Sequence, residues 1–188
     1  PFPHLLSDSE AKKIVSDVYL TLKENPVLSR QIELYNMSEL TPVQKTMLSE
    51  MHLISMDLSN SEKGAVIVNQ DETINIMINE EDHLRIQVML PGLQLDEALK
   101  EIDRIDDLLE EKLDFAFDEK IGYLTACPTN VGTGMRASVM MHLPALTMMD
   151  KTGQIFSTIS QLGLVVRGIY GEGSQAKGNL YQISNQIT

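Results

Sequence analysis

The chain has 188 residues, 43% of them hydrophobic, which is enough for one domain with a substantial core and too apolar for a disordered protein. Acidic residues outnumber basic ones by 27 to 15, and the net charge of −12 argues against a nucleic-acid-binding protein, which needs a basic face. The charge is uneven: residues 1–119 carry −15 and residues 120–188 carry +3. Eight of the 11 glycines lie at or beyond Gly132, so the last third favours an anion site.

Cys127 is the single cysteine, which excludes an internal disulfide and a metal cage built from cysteines alone. No apolar run reaches the roughly 18 residues that span a bilayer, and no signal peptide is recognisable. We therefore expect a soluble, cytoplasmic protein that binds neither nucleic acid nor membrane. The four histidines are far apart in the sequence, so no residue is assigned as a metal ligand.

The front of the chain predicts helices around a three-stranded meander. Ser7 and Glu10 have the spacing of a capping box, and the apolar residues that follow recur at helical spacing, so a helix is predicted over 8–24. A second helix is predicted from Thr41-Pro42 to about His52. Apolar residues then recur at every second position, which predicts strands. An amphipathic helix with an acidic outer face is predicted after them. These strands cover 65–68, 73–78 and 83–90, and the helix covers 95–109.

Shorter strands and glycine-containing loops are predicted towards the end of the chain. The predicted order is a hairpin (113–117 and 120–126), a loop (127–134), a strand (135–142), a broken helical stretch (144–162), a strand (164–169), a loop (171–178) and a last strand (180–184). Consecutive hairpins combined with helices predict an α+β fold in which an antiparallel β-sheet is flanked by helices. No linker is recognisable, so residues 1–188 are expected to form a single domain.

The first segment with candidate catalytic or binding residues is Asn-Glu-Glu-Asp-His-Leu-Arg at 79–85. It places three consecutive carboxylates at a predicted hairpin tip, followed by Arg85 on the polar face of a strand. One interpretation is a charged turn. The other is a ligand site, because the strand face carries His83, Arg85 and Gln87 rather than threonine or lysine.

Two further segments combine an arginine with a glycine loop. Residues 127–138 begin with Cys-Pro-Thr-Asn and end with Arg136-Ala-Ser, and residues 165–174 contain Arg167-Gly followed by Gly-Glu172-Gly. An arginine among apolar strand residues needs an anion or an acidic partner. The purely structural interpretations are a small buried thiol for Cys127 and a salt bridge for Glu172.

The three segments share one arrangement, in which an arginine on a predicted strand lies beside a loop. The sequence has five arginines, and Arg85, Arg136 and Arg167 lie on predicted strands beside these loops. Arginine offers bidentate donors to phosphate oxygens and stays charged. Three arginines that converge on one sheet face would bind a triphosphate, and Glu81 and Glu172 would remain to hold a cationic group next to it.

These segments, in this order, closely resemble the ATP:guanidino phosphotransferases, the family of arginine and creatine kinases. Gly-Tyr-Leu-Thr before the cysteine and Gln-Ile-Ser-Asn-Gln at 182–186 are similar to the protein-arginine kinase branch found in bacteria. The resemblance is clearest over 64–188. It implies the guanidino kinase catalytic-domain architecture, which is glutamine-synthetase-like, and transfer of the ATP γ-phosphoryl group to arginine side chains of proteins, with Mg²⁺ as cofactor.

The resemblance also implies a role for individual residues. Glu81 would anchor the guanidinium and act as base, Glu172 would be the second carboxylate, and Cys127 would position the guanidinium and confer redox sensitivity. Arg85, Arg136 and Arg167 would bind the phosphates. The full set of implied nucleotide-binding residues is His52, Arg85, Arg136, Ala137, Ser138, Val139, Met140, Arg167, Gly168, Ile169, Tyr170, Gly171 and Glu172.

The implied partners follow from the same family. They are arginine-containing protein substrates, including a stress-gene repressor and misfolded proteins destined for a Clp protease, together with an activator protein and a second copy in a homodimer. The family also has an arginine-bearing segment upstream and a helical region downstream, so we expect a catalytic domain truncated at both ends. Two other functions stay open: a kinase of free arginine or creatine, and a non-catalytic module that binds nucleotide or phosphoarginine.

Overall fold

The computed structural model describes residues 1–26, 28, 31–168 and 177–187. The contacts divide the chain into two compact units, residues 1–116 and 117–188. Helices and strands occur in both units, and every paired strand runs antiparallel to its neighbour. The predicted α+β fold class is confirmed.

The first unit is built on a four-stranded sheet in the order β1-β2-β3-β4. Its strands are β1 (Ile32–Asn36), β2 (Ala65–Asn69), β3 (Ile74–Ile78) and β4 (Leu84–Val88). Its helices are α1 (Asp8–Glu24), α2 (Pro42–Glu50), α3 (Met56–Asn60) and α4 (Leu95–Glu110). The predicted meander is therefore confirmed, whereas the sequence reading missed β1 and the one-turn helix α3.

Local signals explain where the longer helices begin. At the start of α1 the hydroxyl of Ser7 accepts a hydrogen bond from the amide of Glu10, and the Glu10 carboxylate accepts one from the Ser7 amide in return. Thr41 and Gln44 make the same reciprocal pair at α2, with Pro42 at the first helical position. Each pair satisfies two amides that a helix start would otherwise leave without a partner.

Helical elements cover both faces of this sheet. One face packs against α1 and α4 through a core that includes Val18, Ile76 and Ile105. The other face packs against α2 and α3 through a second core that includes Leu58 and Met77. Because β2 lies between both layers, its apolar residues run continuously instead of alternating.

The second unit contains a three-stranded sheet and a small hairpin. The sheet order is β7-β9-β8, from β7 (Ser138–His142), β8 (Leu164–Gly168) and the central β9 (Leu180–Asn185). Two helices, α5 (Pro144–Met148) and α6 (Thr152–Gln161), lie between β7 and β8 in sequence. The ring of Phe156 on α6 lies 4.8 Å from that of Tyr181, and the Tyr181 hydroxyl is hydrogen-bonded to Thr147 of α5.

The predicted hairpin over 113–126 is much shorter in the structure. Only β5 (Phe117–Asp118) and β6 (Gly122–Tyr123) pair with each other. Leu113 and Phe115 pack instead against the first core, so their alternation reflects packing on the sheet and not strand pairing. Within the part of the chain that the structure describes, no helix is long and apolar enough to cross a membrane.

Candidate active site

The carboxylate loop, defined as Asn79–His83, is a tightly held turn between β3 and β4. The amide of Asn79 donates to the carbonyl of His83 over 3.0 Å, and the amide of Glu80 donates to the carbonyl of Asp82 over 3.1 Å. Asn79 has a φ of 56°, in the left-handed region, and is buried. Its side-chain amide donates to the carbonyl of Ala11 in α1 over 3.1 Å. The loop is thus anchored to a helix on one face of the sheet.

Glu81 is the exposed member of this loop and is surrounded by negative charge. Partial burial raises the pKa of the Glu81 carboxyl above its ordinary value, and the carboxylates of Asp82 and Glu80 raise it further. Asp57 acts in the same direction, whereas Arg85 opposes the rise. A carboxylate in this position gains from a cationic group beside it and can accept a proton nearer to neutral pH.

Glu80 is a site residue that the sequence reading did not single out. Its side chain is only 6% exposed, and it accepts a hydrogen bond of 2.5 Å from the hydroxyl of Ser55. Nη1 of Arg85 lies 3.5 Å from a Glu80 carboxylate oxygen. The two adjacent glutamates therefore differ: Glu80 faces inward and holds Arg85, whereas Glu81 faces solvent. Three consecutive carboxylates contain no local signal that separates them, because the inward position of Glu80 depends on Ser55, 25 residues away.

His52 lies next to the polar face of β4. It follows α2 with a φ of 60°, and its carbonyl accepts a hydrogen bond of 2.9 Å from the side chain of Gln87. Gln87 and Arg85 are two positions apart on β4, so they share one face of the strand. The structure therefore brings His52, Gln87, Arg85 and the carboxylate loop together in the first unit.

Cys127 lies in a closed loop of the second unit. Tyr123 and Gly132 form an isolated antiparallel bridge, with the Tyr123 amide donating to the Gly132 carbonyl over 2.8 Å. Between them, the thiol of Cys127 lies 3.0 Å from the hydroxyl of Thr129. The thiol is partly exposed, so the interpretation of a fully buried structural cysteine does not hold.

Arg136 is exposed and precedes β7, which begins three residues later than the strand predicted over 135–142. A guanidinium nitrogen of Arg136 donates to the side-chain oxygen of Asn130 over 3.4 Å. Asn185, at the end of β9, holds the backbone on both sides of Arg136. Its side chain accepts from the Ala137 amide over 2.9 Å and donates to the Met135 carbonyl over 3.0 Å.

The sheet of the second unit presents a polar face that contains Arg167. Arg167 lies opposite Gln182, which in turn lies opposite Met140, so the three share one face. The side chain of Gln182 donates to the Ser138 hydroxyl over 2.9 Å. Val139 alternates onto the other face of the sheet.

The structure distributes the three arginines over two sheets. Arg85 lies on the sheet of the first unit, whereas Arg136 and Arg167 belong to the sheet region of the second. The expectation of three arginines on a single sheet face is therefore wrong. Gly168 ends β8 and is buried. The predictions for Ile169, Tyr170, Gly171 and Glu172 lie outside the described residues.

The carboxylate loop has a donor set that fits Mg²⁺. Among the described residues, no group of three or more His, Cys, Asp or Glu side chains is placed to hold a metal ion. Mg²⁺ in phosphoryl-transfer enzymes is bound by one or two carboxylates together with substrate phosphates and water. Asp82 supplies an oxygen donor of this kind, so the residues present fit a Mg²⁺ ion that arrives with a nucleotide.

Comparison with known proteins places this geometry in a family. The family model described as the ATP:guanido phosphotransferase C-terminal catalytic domain matches residues 11–188. The chain belongs to this family. The resemblance inferred from the three motifs is thereby confirmed, and the family description names the two reactants, ATP and a guanidino group.

Individual family members are similar over the whole chain. The chain is 54% identical over 190 residues to a protein-arginine kinase of Caldanaerobacter subterraneus subsp. tengcongensis, covering 100% of this chain and 56% of that protein. It is 57% identical over 190 residues to a protein-arginine kinase of Geobacillus sp. strain WCH70, covering 100% of this chain and 52% of that protein. The chain thus spans about half the length of the curated relatives it matches.

A solved structure confirms the fold. The duplicated taurocyamine kinase from Schistosoma mansoni, solved with bound transition state analog components, superposes with a TM-score of 0.83 at 26% identity. The match covers 99% of this chain and 27% of that chain. The guanidino kinase architecture implied by the motifs is therefore present.

Proposed function

We propose that this chain is the catalytic part of a protein-arginine kinase, which transfers the γ-phosphoryl group of ATP to arginine side chains of proteins. The observation that carries the proposal is the identity of more than half of its residues with protein-arginine kinases, over its full length. The whole chain is covered in both cases, including the carboxylate loop and the Cys127 loop.

In this proposal, Glu81 binds the acceptor guanidinium and removes its proton. A free guanidinium has a pKa above about 12, so attack on phosphorus requires a base and a fixed orientation. Glu81 supports both roles because it is exposed, has a raised pKa and lies among other negative charges. Glu172 would be the second carboxylate, and the sequence motif supports that assignment.

Arg85, Arg136 and Arg167 bind the phosphates of ATP in this proposal. Phosphoryl transfer depends mainly on positioning and on neutralising charge, and arginine supplies both. His52 and the stretches 136–140 and 167–172 contact the nucleotide, and Mg²⁺ enters with ATP near the carboxylates of the first unit. Cys127 positions the acceptor and makes the enzyme sensitive to oxidation. Both compact units are parts of one catalytic domain, residues 1–188.

The proposed biological setting comes from the family resemblance. The enzyme would act in the bacterial cytoplasm in the stress response, with a stress-gene repressor and misfolded proteins as substrates. An activator protein, a Clp protease and a homodimeric state belong to the same proposal.

The proposal is tested with the full-length protein, Mg-ATP and an arginine-rich protein acceptor. We expect acid-labile phosphate on arginine side chains, identified by mass spectrometry at neutral pH. Glu81→Gln should lose transfer while it still binds Mg-ATP. Binding of ATP by the wild-type protein without any transfer would instead favour a non-catalytic binding module.

A second candidate is a kinase of a free guanidino compound, favoured by the superposition on the taurocyamine kinase. The same assay distinguishes the two when protein, free arginine, creatine and taurocyamine compete at equal guanidino concentration. A higher kcat/KM for one of the small compounds than for protein arginine would decide for the second candidate.

A further inference from the structure

Asn185 lies at the end of β9 and makes a set of hydrogen bonds that frames Arg136. Its side-chain oxygen accepts from the Ala137 amide over 2.9 Å. Its side-chain nitrogen donates to the Met135 carbonyl over 3.0 Å and to the Ile187 carbonyl over 3.0 Å. The Asn185 amide also donates to the Ala137 carbonyl over 3.4 Å. Both peptide units that flank Arg136 are thus bound by one residue.

These hydrogen bonds continue the sheet beyond the N-terminal end of β7. The last paired residues of β7 and β9 at this end are Ser138 and Ser184, and Asn185 extends the pairing by one residue. An asparagine side chain can do this because it carries a donor and an acceptor in one planar group. The backbone of Arg136 is therefore fixed although the residue itself is exposed.

We infer that Asn185 is a positioning residue, which holds the backbone of Arg136 so that its guanidinium meets a phosphate group of the nucleotide. The inference rests on the proposed function, since it takes Arg136 to be a phosphate ligand. The hydrogen bonds of the Asn185 side chain go to backbone groups of Met135, Ala137 and Ile187, so Asn185 acts on the nucleotide through Arg136. Because small displacements of a binding group weaken the interactions of a transferred phosphoryl group, the loss of this support should reduce nucleotide affinity.

The test is a double-mutant cycle on the full-length protein, with the dissociation constant of Mg-ATP measured by calorimetry. Asn185→Ala should raise this constant by about 5- to 10-fold, the effect of losing about one well-placed hydrogen bond. Arg136→Ala should raise it by about 10- to 100-fold, since it removes a charge-assisted contact. The double variant should match Arg136→Ala within about twofold, because Asn185 then has no guanidinium to position.

A second measurement, hydrogen exchange, is made on the protein without nucleotide. In Asn185→Ala, hydrogen exchange of the Ala137 amide should become faster in the free protein, because the acceptor of that amide is gone. Gln186→Ala is the matched control. Gln186 is the next amide along the chain, it is exposed, and the described structure shows no side-chain hydrogen bond for it, so neither readout should change.

Additive losses in the double variant, or an unchanged dissociation constant in Asn185→Ala, would overturn the inference. If Asn185→Ala does not fold, Asn185→Asp serves in the same cycle, because it keeps the acceptor for Ala137 and loses only the side-chain donor to the Met135 and Ile187 carbonyls. The outcome is separable from that of the proposed function. Non-additive losses of Mg-ATP affinity in a protein that phosphorylates no protein arginine would reject the proposed function alone. Additive losses in an active protein-arginine kinase would reject the positioning role alone.

Discussion

The guanidinium of Arg85 is paired with Glu80, over 3.5 Å, and not with the neighbouring Glu81. Glu80 is nearly buried and is also bound by the Ser55 hydroxyl, so it forms a fixed support for the guanidinium end of Arg85. Two adjacent carboxylates thus have separate tasks in the proposed enzyme. Glu80 organises a phosphate-binding arginine, and Glu81 is available to the acceptor.

Exchanging each glutamate for glutamine should separate these tasks. Glu80→Gln keeps an acceptor for Ser55 but loses the ion pair, and a partly exposed pair of this kind is worth about 0.2–1 kcal/mol. We expect the KM for ATP to rise by about 2- to 5-fold, with little change in kcat. Glu81→Gln should lower kcat by about 10²- to 10⁴-fold, the usual contribution of a general base.

Initial-rate kinetics over a range of ATP concentrations provide the measurement, and each variant serves as the control for the other. Similar losses of kcat in both variants would show that the two carboxylates are not functionally distinct.

The environment of Glu81 predicts the pH dependence of the reaction. A base must be ionised to accept a proton, and burial together with the nearby carboxylates raises the pKa of Glu81. The rate should therefore fall as the pH drops through this raised value, at a higher pH than an ordinary glutamate would give. Asp57→Asn removes one of the charges that raise the pKa, so the acid limb of kcat/KM should move to lower pH.

The control for this shift is Asp71→Asn, an exposed carboxylate in the turn between β2 and β3 that is not among the charges acting on Glu81. An acid limb that stays in place in Asp57→Asn, or that moves equally in Asp71→Asn, would contradict the assignment of that limb to Glu81.

Asn79 should be important for the stability of the first unit. Asn79→Ala removes the hydrogen bond to the Ala11 carbonyl and the contact with the His83 ring, and it places alanine at a φ of 56°. The lost hydrogen bond and the left-handed backbone together should cost about 2–4 kcal/mol of unfolding free energy. Asn79→Gly loses the same contacts without backbone strain, so it should cost about 1 kcal/mol less.

Urea denaturation followed by circular dichroism measures both values. Equal costs for alanine and glycine would mean that the backbone conformation of Asn79 contributes nothing to the stability.

Local periodicity and capping were sufficient to predict most of the first unit. The helix start at Ser7, the meander and the amphipathic helix α4 follow from patterns within about 20 residues, and each is present. The motifs likewise identified the carboxylate loop and its place at a hairpin tip. These features depend on neighbours in sequence, which is why the sequence contains them.

Features that depend on distant neighbours could not be obtained in this way. The role of Glu80 requires Ser55, which is 25 residues away, and that of Asn185 requires the backbone around Arg136, 50 residues from Asn185 at its farthest contact. The residues over 113–116 have the alternation of a strand, but their pattern comes from packing on a core. A local sequence pattern does not determine which residues are buried against elements that are remote in the sequence.

Gly122 should be essential for the loop that carries Cys127. It has a φ of 95°, and a Cβ atom built on it would lie 2.3 Å from the carbonyl oxygen of Gly132. Gly122→Ala must therefore displace the strand pairing between Tyr123 and Gly132, at a cost of about 2–4 kcal/mol from strain and overlap together. As the loop opens, the reaction of Cys127 with iodoacetamide should become faster, and phosphoryl transfer should fall. Gly153→Ala is the matched control, because that glycine lies in α6 with a helical backbone and open space around its Cβ position. It should leave thiol reactivity unchanged and leave stability unchanged or slightly higher. A Gly122→Ala protein with the thiol reactivity and unfolding midpoint of the wild type would contradict this account of how the loop is closed.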